Sequence, residues 1–260
     1  MSSTQHNLQG KVALVTGGGR GIGKAISHRL AADGAFVLVN YSVGKEPAEK
    51  TVAEIEAGGG RAAVVQGDVG LLASIRKLYL TTDELLTKRF GAPRIDIIVN
   101  NAAISFLHTV DTIGEAGYDR IFAVNVKGPF FMAQQVLSRM PDGGRIINIS
   151  SINAHRELAR IGPIYSTSKH AVTGLTINLA AALGSRRITV NAVESGPVPT
   201  DMVREAAGVT PESSAAVSAM TALGRWGQPE EIADTVAFFA SNDARWVTGQ
   251  CLGVNGGFLL

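Results

Sequence analysis

Residues 11–23 read KVALVTGGGRGIG, and the two halves of that string ask for different backbones. Lys11 to Thr16 is short, apolar and β-branched, the composition of a strand covered on both faces. The glycines from Gly17 to Gly23 then let the chain turn sharply and approach another molecule closely. Gly23 to Asp33 carries Ile26, Leu30 and Ala31 at helical spacing, and Gly34 follows as a stop. Strand, glycine turn and helix in that order leave free N–H groups at the helix start, a seat for the pyrophosphate of a dinucleotide. The spacing is T-G-x-x-x-G-x-G over Thr16, Gly17, Gly21 and Gly23, since G-x-G-x-x-G counted from Gly17 ends on Ile22. Gly17, Arg20, Gly21, Ile22 and Gly23 are therefore candidate cofactor-binding residues.

The same alternation continues along the chain. Strands are expected at Ala35 to Asn40, Arg61 to Gln66, Ile95 to Asn100, Arg145 to Ser150 and Ile188 to Val193, with Gln250 to Val254 closing the sheet. Helices are expected at Pro47 to Ala57, Leu71 to Phe90, Tyr118 to Met140, Tyr165 to Leu183 and Pro229 to Ser241. Strands separated by helix-length segments make right-handed βαβ units and a parallel sheet. The pattern predicts a single α/β domain over 1–260 with its core at 8–257: a Rossmann-type, doubly wound parallel sheet of about seven strands with helices on both faces. Thr200 to Leu223, rich in Ala and Ser, reads equally as a lid over a site or as a pair of surface helices.

Composition narrows the function. The 24 Lys plus Arg against 22 Asp plus Glu are too evenly balanced for a nucleic-acid footprint, so no nucleic-acid partner is expected. The single Cys251 permits no internal disulfide, and the five histidines show no zinc-ligand spacing, so no metal is expected. No apolar run reaches the roughly 18 residues of a membrane span, and the polar start of the chain lacks a signal-peptide core. A cytoplasmic location with no membrane partner is the expectation.

The end of the second strand addresses the cofactor. A site for NAD places an acid about 20 residues past the glycine turn, on the ribose 2′-hydroxyl. Here Asn40-Tyr41-Ser42-Val43-Gly44-Lys45 runs on with no acid before Glu46. Arg20 with Asn40, Tyr41 and Ser42 is suited instead to a 2′-phosphate, so NADP is the expected cofactor. Further on, Tyr165 and Lys169 stand four residues apart, one helical turn, on one face. A phenol titrates near ~10, and a neighbouring ammonium is expected to bring it down into the range of a general acid or base. Ser150 and Ser151, after the fifth strand, lie where a hydroxyl meets the same pocket.

With these features together, the chain resembles the short-chain dehydrogenase/reductase family from about Leu8 to Gly257. The resemblance includes Asp68-Val69, Asn100-Asn101-Ala102, Asn125-Val126-Lys127-Gly128 and Asn191-Ala192-Val193. It implies that Tyr165 exchanges the substrate proton, that Lys169 lowers its pKa and binds the nicotinamide ribose, that Ser151 orients the carbonyl, and that Asn125 holds a relay water. It further implies cofactor contacts from Asp68 and Val69 around adenine, Asn100 and Ala102 by the adenosine ribose, and Gly196, Val198 and Thr200 by the nicotinamide. Two positions depart from the family pattern: Ser195-Gly196-Pro197 after the sixth strand, and Asn255 where relatives are often acidic.

The sequence is most similar to the family's 3-oxoacyl-carrier-protein reductases and hydroxynaphthalene reductases, notably at Val37 to Ser42. That implies an NADPH-dependent, reversible reduction of a ketone such as a 3-oxoacyl thioester, polyketide or cyclic ketone, by a homotetramer. Substrate-facing candidates are Ile104, Phe106, Asn153, His155, Leu158, Ile161 and Met202, and Arg139, Arg186 and Arg187 are candidates to dock an acidic carrier protein. A polyol, sugar or hydroxysteroid dehydrogenase is the nearest alternative. The family's enoyl reductases space Tyr and Lys more widely, and a cofactor-sensing regulator on this fold typically lacks the tyrosine.

Overall fold

The computed structural model describes residues 7–106, 108–155, 162–201, 203 and 210–260. Its strands are β1 (Val12–Val15), β2 (Phe36–Tyr41), β3 (Arg61–Gln66), β4 (Ile97–Asn100), β5 (Arg145–Ser151), β6 (Thr189–Ser195) and β7 (Cys251–Val254). They form one seven-stranded sheet in the order β3-β2-β1-β4-β5-β6-β7, every pair parallel. The helices are α1 (Gly21–Ala32), α2 (Lys45–Ala57), α3 (Leu72–Phe90), α4 (Glu115–Phe122), α5 (Gly128–Val136), α6 (Pro163–Leu183), α7 (Pro211–Ala219) and α8 (Pro229–Ala240).

The apolar run of β1 has no polar alternation because helices cover both faces of the sheet. Ala13 and Val15 point to one side and pack in a cluster with Ile26 and Leu30 of α1, Ile55 of α2 and Val236 of α8. Val12 and Leu14 point to the other, among Leu78 and Tyr79 of α3, Met132 of α5 and Leu183 of α6. From β1 the chain winds outward to β3 and then returns to β4 on the opposite flank of β1. This reversal opens a crevice at the carboxyl ends of β1 and β4, the general place for a ligand in such sheets.

Several boundaries differ from expectation, each for a local reason. Gly44, at φ 72°, starts α2 at Lys45, two residues ahead of Pro47. Strands β5 and β6 run on to Ser151 and Ser195, which pair with each other. The expected single helix from Tyr118 to Met140 is broken into α4, a five-residue π-helical turn (Ala123–Lys127) and α5. Pro129 has no N–H to return to the carbonyl of Asn125, so a regular α-helix cannot pass through that point. Gly128 is also required there, since a Cβ would lie 2.9 Å from the Val69 carbonyl oxygen. The segment 200–223 contains α7, which starts at a Thr210 cap whose Oγ1 accepts from the Ser213 N–H at 3.2 Å. Within the expected lid, 202 and 204–209 lie outside the described residues.

Candidate functional site

The glycine turn sits at the carboxyl end of β1. Thr16 N–H donates to the Val99 carbonyl at 3.0 Å, tying the turn to β4. Gly17 and Gly21 take φ values of 61° and 47°, conformations costly for any residue with a Cβ. A Cβ on Gly19 would come within 2.9 Å of the Ala48 backbone, and one on Gly23 within 2.2 Å of the Gly17 carbonyl oxygen. No side chain caps the start of α1 at Arg20, so its first N–H groups face the crevice. Asn101 braces the turn: its Nδ2 donates to the Thr16 carbonyl at 2.9 Å and the Gly17 carbonyl at 3.2 Å.

From this turn a cleft of about 920 Å³ runs to Tyr165. Gly17, Arg20, Gly21, Ile22, Gly23, Asn40, Tyr41, Ser42, Asp68, Val69 and Ala102 line it, with Thr200 packed over Gly21 and with Tyr165 and Lys169 at the far end. Its size and the uncapped helix start fit an extended dinucleotide.

At the far end, Tyr165 and Lys169 occupy the first two turns of α6. The Ser151 hydroxyl lies beside the Tyr165 phenol and favours its ionised form. Lys169 is 3% exposed, with Nζ donating to the Ile149 carbonyl at 2.8 Å and lying 5.7 Å from the centre of the Tyr165 ring. Burial pushes the phenol up to about 12, with Ser151 pulling the other way. The same cause pulls the Lys169 ammonium down to about 8. Burial takes water from both groups and drives each toward its neutral form, so the lowering expected from Lys169 is opposed by desolvation. The phenol is stored as an acid.

Several expected site residues, including Asn40 of the cleft lining, have their side chains engaged by the protein itself. Asn40 is buried; its Nδ2 donates to the carbonyls of Val65 (3.3 Å) and Gly67 (3.1 Å), and its Oδ1 accepts from Gly17 N–H (3.3 Å). It clamps the glycine turn to the ends of β2 and β3. Asn100 is buried inside β4 and donates to Asn148 Oδ1 at 2.9 Å; the residue of that motif on the cleft wall is Asn101. Asn125, on the π-turn, accepts from Ile104 N–H at 2.9 Å and donates to the Ile104 carbonyl and Ser168 Oγ, both at 3.0 Å. Gly196 makes room for Asn255, whose Cα would be 2.5 Å from a Cβ there, and Val198 is buried below the cleft wall.

Of the substrate-facing candidates, Ile104 and Phe106 line the cleft. His155 turns aside, its Nε2 2.8 Å from the buried Glu194 carboxylate, while Asn153 is buried with its N–H on Ser151 Oγ. Leu158, Ile161 and Met202 lie outside the described residues. Arg139, Arg186 and Arg187 sit at the amino-terminal edge of the sheet, away from the cleft. Arg139 is paired with Asp83, and Arg186 with Asp142 and the Leu137 carbonyl, so the expected carrier-docking surface finds no support. Residues that the sequence reading passed over include Asn101, Ser105 and Arg120 on the cleft wall. Asn101 was findable as the first residue past a strand ending at Asn100; Arg120 comes from a helix far along the chain and carries no local signal.

A parallel sheet with its dinucleotide-shaped crevice and a Ser–Tyr–Lys group at one end defines a class of nicotinamide-dependent oxidoreductases. The family model described as enoyl-(acyl carrier protein) reductase matches residues 17–259. Versicolorin reductase 1 of Aspergillus parasiticus is 41% identical, over 98% of both chains. The hydroxynaphthalene reductase-like protein Arp2 of Metarhizium brunneum is 38% identical, covering 98% of this chain and 97% of its own. Among solved structures, the angucycline C-6 ketoreductase LanV with bound NADP superposes with a TM-score of 0.91 at 40% identity, over 98% of this chain and 97% of that one. The chain belongs to the short-chain dehydrogenase/reductase family.

Proposed function

We propose that this protein is an NADPH-dependent ketoreductase acting on a carbonyl carried by an apolar, ring-shaped or polyketide-like body. The observation that carries the reading is the phenol of Tyr165, held protonated, beside Ser151 and backed by Lys169 at the end of the cleft. The relatives' names support it, since they speak of hydroxynaphthalene, versicolorin and angucycline reduction.

NADPH, when bound, supplies the hydride that reduces the carbonyl carbon. Gly17, Gly21 and Gly23 with the start of α1 would hold its pyrophosphate, and the exposed Arg20 with Tyr41 and Ser42 its 2′-phosphate. No carboxylate stands at the end of β2 to favour the plain ribose. Tyr165 donates its proton to the carbonyl oxygen as negative charge gathers there. Ser151, beside that phenol, donates to the same oxygen and fixes its place. Lys169 contributes positive charge behind the phenol and would hold the nicotinamide ribose. Asn125 braces the Ile104 loop against Ser168, so its part is to fix the wall that meets the substrate.

Ile104 and Phe106 give the substrate end an apolar wall, which disfavours a sugar or polyol. The four-residue interval between Tyr165 and Lys169 favours ketone over enoyl reduction. The reading includes a cytoplasmic homotetramer, in which the exposed Phe130, Ile177 and Trp246 would be covered; sedimentation of the purified protein measures the assembly. The functional test is loss of cofactor absorbance with purified protein against aromatic cyclic ketones, 3-oxoacyl thioesters, polyols and sugars. The expected result is turnover of cyclic ketones with NADPH at about tenfold or more the efficiency seen with NADH. Preference for a sugar, or for NADH, would overturn the proposal.

A further inference from the structure

The Asp68 carboxylate stands on the cleft wall beyond β3, and three protein donors already grip it. Gly70 N–H donates to Oδ1 at 2.8 Å, Arg120 Nη2 donates to Oδ2 at 3.0 Å, and Arg120 Nη1 approaches Oδ1 at 3.4 Å. Arg120 reaches across from α4, which is anchored by the fully buried Ile121. Glycine at residue 70 keeps this approach open, since a Cβ there would lie 2.5 Å from Nη1 and the guanidinium would have to shift. An exposed ion pair of this kind adds little to stability. A forked guanidinium, however, fixes the plane of a carboxylate as a single ammonium cannot. A carboxylate has about four acceptor positions, and the three donors here leave one, on Oδ2.

We propose that Arg120 is a positioning residue for the adenine end of the cofactor cleft: by gripping both oxygens of Asp68, it aims the remaining Oδ2 lone pair at the 6-amino group of the bound dinucleotide. Adenine offers a donor at that place, whereas hypoxanthine carries a carbonyl oxygen that a carboxylate repels. Arg120 thus makes the site selective for the adenine nucleotide without touching it. The inference rests on the NADP reading of the cleft and deepens it.

The test is calorimetric binding of NADP⁺ and of its hypoxanthine analogue to the full chain and to Arg120→Met, Arg120→Lys and Asp68→Asn, with melting curves confirming that each variant is folded. The wild-type protein is expected to favour NADP⁺ by about tenfold, the worth of one charge-assisted hydrogen bond. Arg120→Met is expected to reduce that preference below about twofold by weakening NADP⁺ binding alone, and Asp68→Asn to do the same. Arg120→Lys, which holds one oxygen in place of two, is expected to fall between. In steady-state kinetics the KM for NADPH should rise by more than kcat falls. If Arg120→Met, or Arg120→Lys should the Met variant not fold, discriminates as well as wild type, the proposal is overturned; equal wild-type affinity for both nucleotides overturns it too. Failure of the wild-type protein to bind either nucleotide would instead contradict the NADP reading itself.

Discussion

The two ends of the cleft are built on opposite plans. At the Tyr165 end the reacting groups are withdrawn from water: Ser151 and Lys169 are buried, Tyr165 is half-buried, and the ammonium is held by the Ile149 carbonyl. At the other end, Arg20 and Ser42 are exposed, and what order exists comes from residues beneath them, chiefly Asn40 and Asn101. The difference follows from the work each end does. A proton donor must be dry and aimed before the substrate arrives, because reorganisation at the moment of reaction raises the barrier. A phosphate-binding surface gains from remaining hydrated until its ligand brings the opposing charge, since an unpaired buried guanidinium would be costly.

This contrast is open to attack, most strongly at the buried end. Lys169→Met should lower kcat for ketone reduction by about a hundredfold, because the phenol loses its cationic neighbour; steady-state kinetics at saturating NADPH measures it. The pH dependence carries the sign of the burial effect. The folded Lys169 value of about 8 lies below the ordinary ~10.4, so between these two values the unfolded chain binds more proton than the folded one. This group therefore makes stability rise with pH across that window, and its destabilising charge is fully present below pH ~8. The melting-temperature gain of Lys169→Met over wild type should accordingly be largest near neutral pH and shrink toward pH ~10. A gain that grew with pH would mean the ammonium is not desolvated.

The braces under the exposed end come next. Asn40→Asp is expected to cost about 2 kcal/mol in stability, because two amide donors are lost and a carboxylate is set against the Val65 and Gly67 carbonyls. Thermal denaturation checks this, and a simple switch toward NADH at unchanged stability would show Asn40 to be a cofactor-facing residue and no clamp. The smallest effect belongs to the surface itself: Arg20→Ala should weaken NADPH binding about tenfold and leave NADH and the melting temperature unchanged. Equal losses for both cofactors would mean that the 2′-phosphate is read elsewhere.

How far the sequence was legible follows the same division. The sheet was readable because its strands are continuous apolar runs set between glycine turns, and the glycine turn marked the crevice. Tyr165, Lys169 and Ser151 stood out by local spacing. The asparagines did not separate so easily: Asn40, Asn100 and Asn101 are alike as residue types, and only their places at the strand ends decide which is free for the cleft and which clamps the backbone. The π-turn at Ala123–Lys127 was signalled by Gly128-Pro129, but sequence cannot say that the break would seat Asn125 on Ile104 and Ser168. Burial, which opposes the expected shift at Tyr165, has no local signature at all.

The most direct test is Tyr165→Phe, with NADPH affinity and ketone turnover measured on the same folded preparation. The account predicts unchanged affinity and a fall in kcat of about a thousandfold, since only the proton donor is removed. Turnover within a few-fold of wild type would contradict it and place the proton donor elsewhere.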